Sequence, residues 1–157
     1  MKATLLVIGK TDDSFIAEGI NKFMLRINRY MSFDVEVIPD LRNSRNLTEQ
    51  IQKEKEGELI LKKIQSGDIL VLLDENGQQF SSVAFSEWLN TQLVSGQKRL
   101  VFVIGGPYGF SQAVYQKASY KISLSKMTFS HQLVRLIFVE QFYRVHTILK
   151  GEPYHHQ

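Results

Sequence analysis

The chain has 157 residues, no cysteine and a formal net charge of +3. That length suits one domain, placed here over residues 1–157, and the lack of cysteine excludes disulfides, a thiolate nucleophile and a cysteine-based zinc site. The opening run Ala3-Thr4-Leu5-Leu6-Val7-Ile8-Gly9 is too short for a signal peptide's apolar region or a membrane span, so the sequence reads as a soluble, cytoplasmic protein with no membrane partner.

Residues 3–9 have the length of a buried strand. Asp12 or Asp13 then caps a helix to about Tyr30, whose apolar face is Phe15, Ile16, Ile20, Phe23, Met24 and Ile27. Residues 33–38 alternate and stop at Pro39, as a second strand does. A polar loop over 40–47 leads to Thr48, which starts a charged helix to about Ile64 with Ile51, Leu59, Ile60 and Ile64 inward. Ile69-Leu70-Val71-Leu72-Leu73 is continuously apolar, the pattern of a central parallel strand covered on both faces. Residues 75–80 read as a loop, and Ser81 or Ser82 caps a helix that packs Phe85, Trp88, Leu89 and Leu93. Trp88 lies at helical spacing among apolar neighbours, so it reads as packing rather than a ligand platform. Residues 100–104 form the next buried strand, Ser111 caps a short helix, residues 120–124 form a last strand, and a helix runs from His131 to about Leu149. Alternating strands and helices predict an α/β fold with a mostly parallel sheet flanked by helices.

Two features point beyond the fold. Residues 1–97 carry 11 Lys/Arg against 14 Asp/Glu, whereas residues 98–157 carry 8 against 2 and hold all four histidines. A basic, histidine-rich end suits contact with a polyanion, and it equally suits a solvated basic surface. The final helix is apolar around most of its circumference, from Leu133 through Phe138, Phe142 and Val145 to Leu149. One sheet needs only one apolar stripe, so a homodimer is the economical cover for the rest.

In open parallel sheets, ligands bind beyond the carboxyl ends of the strands. Three such exits carry information: Leu73-Asp74, the turn Gly105-Gly106-Pro107-Tyr108-Gly109, and Leu124-Ser125-Lys126-Met127-Thr128-Phe129. Neither a dinucleotide-binding glycine motif nor a P-loop occurs. His155 and His156 are adjacent with no acidic cluster beside them, so no metal site is expected.

The run Phe102-Val103-Ile104-Gly105-Gly106-Pro107-Tyr108-Gly109 resembles the glycine loop of the SPOUT methyltransferases. More narrowly, this loop, the segment from Leu124 on through Ser130-His131-Gln132-Leu133-Val134-Arg135, and the end Tyr154-His155-His156-Gln157 resemble the ribosomal RNA large subunit methyltransferase H family. Val7-Ile8-Gly9-Lys10 and Lys53-Glu54-Lys55-Glu56-Gly57 match as well, so the resemblance spans essentially the whole chain.

The resemblance implies an S-adenosylmethionine-dependent enzyme that methylates N3 of a pseudouridine in a stem-loop of large-subunit rRNA, in the assembled ribosome. It also implies a homodimer with a deep C-terminal trefoil knot, a rare exception to topology rules. The donor would lie against Leu73, Gly105, Gly106 and the segment Leu124, Ser125, Lys126, Met127, Thr128 and Phe129. Catalytic contacts are expected from His155, which would meet the acceptor base, from Tyr154, which would stack on it or orient it, and from Arg135. Arg135 and Arg144 are nine residues apart and point to opposite sides of their helix, so one would reach phosphate while the other pairs with Glu140. Arg144, His156 and Lys126 are the expected RNA contacts. His156 stands where the family usually has Arg or Lys, so it would bind phosphate only when protonated; Ser130 stands where proline is frequent. Two other readings share the fold: a ribosome-binding protein without transfer activity, and a SPOUT enzyme acting on tRNA.

Overall fold

Alternation along the strands sets the architecture of the computed structural model, which describes residues 1–156; Gln157 of the tail motif lies outside them. In β1 (Lys2–Ile8), Leu5 and Val7 point into one core and Leu6 into another, all fully buried. β4 (Arg99–Ile104) repeats the pattern, with Leu100, Phe102 and Ile104 on one side and Val101 and Val103 on the other. Both faces are covered, so apolar residues run continuously, as expected for interior parallel strands.

With β2 (Ser32–Ile38), β3 (Asp68–Gln79) and β5 (Tyr120–Ser123), these strands form a five-stranded sheet in the order β2-β1-β4-β3-β5. Every pairing is parallel. Helices α1 (Ser14–Ile27), α3 (Ser82–Val94) and α5 (Leu133–Leu149) cover the larger core. Helices α2 (Glu49–Lys63) and α4 (Gln112–Lys117) cover the smaller one. The expected α/β class with flanking helices is therefore the observed one. No helix among the described residues is long and apolar enough to cross a membrane.

Caps fix several helix starts. Thr48, Ser81 and Ser111 each accept a hydrogen bond from the amide three residues on, satisfying one of the orphan donors of a first turn. Asp13 precedes α1 without a side-chain cap bond. The last helix begins at Leu133 rather than His131, although Ser130 Oγ accepts the Leu133 amide at 3.1 Å and the Ser130 carbonyl the Val134 amide at 3.0 Å, so residues 131 and 132 form a capped turn leading into it. Phe15 and Ile51, expected inside, are 64% and 42% exposed; the inward face of α2 instead presents Glu56, Gly57 and Ile60.

The main departure concerns residues 75–80, expected as a loop. β3 continues through them to Gln79, and Ile122 of β5 registers with both Leu73 and Gln78. The intervening residues arch, which a strand does by inserting unpaired residues. A Cβ at Gly77 would come 2.6 Å from the Lys121 carbonyl carbon and 2.7 Å from the Ile122 nitrogen. Backbone cannot yield as a side-chain tip does, so glycine is required. Gly77→Ala is expected to cost about 1–3 kcal/mol, the usual range for overpacking, read as a lowered denaturation midpoint at unchanged m-value.

α5 lies between α1 and α3, and both flanks of its apolar surface pack within the chain. On its last turns His146 is 4% exposed, stacked on Tyr30 at 5.3 Å and edge-on to Phe142 at 5.0 Å. Burial, helped by the Lys150 charge, lowers its pKa from 6.5 to about 4. The unfolded chain therefore takes up a proton near pH 6.5 that the folded site refuses. Stability should be complete above pH 6.5 and fall between there and pH 4 by about 3 kcal/mol, from the linkage of proton uptake to unfolding. Denaturation of His146→Phe across that range should show a flatter pH profile than the parent chain.

Candidate functional site

The carboxyl ends of β3, β4 and β5 open into one cleft of about 430 Å³. Leu73, Gly105, Gly106, Leu124 and Ser125 line it, with Met127, Thr128 and Phe129. Sequence reasoning had selected all eight. Lys126, selected with them, is exposed and is not among the lining residues.

Local hydrogen bonds give the two loops their shape. Ser123 Oγ donates to the Ser125 carbonyl at 2.9 Å, and the Met127 amide donates to Ser125 Oγ at 2.9 Å. A serine side chain that closes a turn on its own backbone sets loop direction in this way. Thr128 Oγ1 donates to Glu75 Oε2 at 3.2 Å, tying the loop to the arched part of β3. In the glycine loop the Gly109 amide donates to the Gly106 carbonyl at 3.2 Å. Gly109 has φ 81°, a conformation that favours glycine.

The cleft also contains residues not named as donor contacts: Asp74, Tyr108 and His131, which lie in segments singled out from the sequence, and Glu75, Asn76 and Tyr115, which do not. Asp74 and Glu75 followed a buried strand directly, a signal that was available. Tyr115 on α4 gave none, because only the fold brings it to Asp74. Its hydroxyl donates a hydrogen bond to Asp74 Oδ2. Burial first, and then that bond, raises the Tyr115 pKa to about 12. Apolar walls, close backbone and two carboxylates make the cleft suitable for a cationic ligand with an apolar part.

The C-terminal residues form a second cluster. A chain end usually frays, but here Tyr154 Oη donates to Glu140 Oε1 at 2.9 Å, and its ring lies 4.7 Å from Tyr143. Burial and the Glu140 bond raise the Tyr154 pKa. Arg144 donates to the same carboxylate at 2.7 Å, stands over the Tyr154 ring at 4.7 Å, and meets His155 Nδ1 at 3.2 Å. Arginine can only donate, so His155 accepts at Nδ1 from Arg144. His156 is exposed. Arg144 is thus the arginine that pairs with Glu140, held by the tail.

Arg135 does not reach a surface phosphate. It is 2% exposed, and it donates to the carbonyls of Ile8 and Gly9 at 2.8 and 2.9 Å and to Thr11 Oγ1 at 3.1 Å. It points back under the end of β1 because α5 turns that face to the sheet. Gln132 adds bonds to the Asp12 amide and the Lys10 carbonyl, so the start of α5 and the exit of β1 are one unit. The tail cluster lies elsewhere: Val134 lines the cleft, and Arg144 is ten residues further along α5, about 15 Å at the helical rise.

The family model described as "Predicted SPOUT methyltransferase" matches residues 1–155. The chain is 61% identical to a protein of Parabacteroides distasonis named "Ribosomal RNA large subunit methyltransferase H", over the full length of both. It is 58% and 59% identical, again over the full length of both, to proteins of the same name from Bacteroides fragilis and Flavobacterium johnsoniae.

Replacement of Tyr115 by Phe tests the Asp74 contact. The parent chain should retain phenols that ionise near pH 12, those of Tyr115 and Tyr30, and the variant should lose one of them in a phenolate absorbance titration. Unchanged high-pH absorbance in Tyr115→Phe would show that the bond is not formed in solution.

Proposed function

Because the chain belongs to the SPOUT methyltransferases, and within them to the ribosomal RNA large subunit methyltransferase H family, we propose that it transfers a methyl group from S-adenosylmethionine to N3 of a pseudouridine in large-subunit rRNA, in the assembled ribosome. It works in the cytoplasm as a single domain over residues 1–157, as a homodimer with the family's C-terminal knot.

The observation that carries this reading is the convergence of Leu73, Gly105 and the 124–129 loop on one cleft at the carboxyl edge of the sheet. The residues fit the donor's chemistry: glycines admit close backbone, Leu124 and Phe129 give apolar walls, and Asp74 and Glu75 face a cation. When bound, the donor supplies an electrophilic methyl on sulfonium, and the electron pair of the breaking bond stays with sulfur. The work of the protein is alignment and management of the acceptor's N3 proton.

That proton points to the tail. Glu140 and Arg144 hold Tyr154 and His155 in one arrangement, which supports a role for the phenol in orienting the acceptor base and for the imidazole in meeting its polar edge. The separation of about 15 Å between tail and cleft along α5 argues that each site takes its cleft from one protomer and its tail from the other. Leu133, 38% exposed, and Phe15 on the adjoining helix leave apolar surface for such a partner. For the knot, the support is the place of β5 at the sheet edge beside β3, from which the chain returns through residues 124–132 to the α1–α3 layer.

Labelled methyl transfer from S-adenosylmethionine to ribosomes from cells lacking the gene is the direct test. Label should enter large-subunit rRNA, most strongly in assembled ribosomes. Label in tRNA instead, or donor binding without any transfer, would replace this substrate by the tRNA or the non-catalytic reading. Mixed dimers test the shared site: a chain truncated before Tyr154 and a chain carrying Gly106→Val, each inactive alone, should regain about half of one site's activity together if sites are composite, and none if each chain is self-contained.

A further inference from the structure

Beneath the glycine loop lies a side chain that the proposed chemistry does not use. Glu56 on α2 is 4% exposed, and its Oε1 has no hydrogen-bond partner. Its carboxyl fills the place where a side chain of Gly106 would begin: a Cβ there would be 2.5 Å from both oxygens. The approach is enforced by the neighbouring residue, since a Cβ on Gly57 would be 2.3 Å from Ser111 Oγ, the cap of α4. Thus α2 is pressed against both ends of the segment 106–111. Gln52 lies one turn earlier on α2, and the Asp40 carboxylate acts on this carboxyl from the exit of β2.

Burying a carboxyl beside a second carboxylate is costly, and nothing in the packing of the smaller core requires it. We infer that Glu56 is a positioning residue for donor binding: through its shape, its carboxyl holds Gly106 and the 105–109 turn in the form that receives the donor. The inference rests on the assignment of the cleft as the donor site. Burial, the largest influence on this group, raises its pKa.

Direct titration of the full-length protein with S-adenosylmethionine separates the possibilities. E56Q keeps the shape and should bind within about threefold of the parent, while E56D withdraws the carboxyl by one methylene and should bind roughly tenfold or more weakly. The KM for ribosomes should be unchanged in both. Ile27→Ala, a buried site at the far end of α1, is the control for stability loss and should leave the donor Kd alone. Parent-like binding by E56D, equal weakening in E56Q and E56D, or equal weakening in Ile27→Ala would each overturn the positioning role. Failure of the parent chain to bind donor would remove the cleft assignment itself and the inference with it.

Discussion

The pairing of β5 with the long, arched β3 holds the candidate site together. β5 has four residues and lies at the edge of the sheet with β3 as its one strand neighbour, so its position depends on that contact. From it follow the direction of the 124–129 loop, the meeting of that loop with the glycine turn after β4, and the return of the chain into α5. The arch after Leu73 also places Asp74 and Glu75 on the lip of the cleft, where they meet Tyr115 and Thr128. The strand pairing that closes the sheet thus assembles the candidate cleft as well.

A second constraint fixes α5. Its first turn is tied to the exit of β1 by Arg135 and Gln132, and its last turn is sealed by the neutral imidazole of His146 between Tyr30 and Phe142. Between these anchors the outer face carries Glu140 and Arg144, which hold the tail. Cleft and tail therefore keep a fixed separation along one rigid rod, and a rod held at both ends cannot bend to bring them together within one chain. The composite site proposed for the dimer rests on this separation.

Much of this was legible in the sequence. Interior strands announce themselves by unbroken apolar runs, and residues 69–73 and 100–104 lie where the runs placed them. Thr48, Ser81 and Ser111 cap helices because short hydroxyl side chains satisfy first-turn amides. The arch at 75–80 was not legible, since Glu-Asn-Gly-Gln-Gln has the composition of a loop and becomes strand only because β5 supplies the pairing. Glu56 hid in a charged helix, where an inward carboxyl looks like an outward one. The setting of Arg135, expected to make a catalytic contact, was not legible either, because its partners are carbonyls more than 120 residues away in the chain. Long-range contacts of this kind leave no local pattern.

The strand order bears on how the chain is made. β4 lies between β1 and β3, and Lys2 pairs with Arg99, ninety-seven residues later. A nascent chain emerging from its amino end can pair β1 with β2 early, but the other edge of β1 stays open until β4 has been synthesised. For most of translation that edge is an apolar strand with free amides and carbonyls, the kind of template on which other chains aggregate. Contacts so distant also slow the search for the native sheet. An open interior edge maintained through two-thirds of synthesis makes this small protein a natural client for chaperones that act at the ribosome exit.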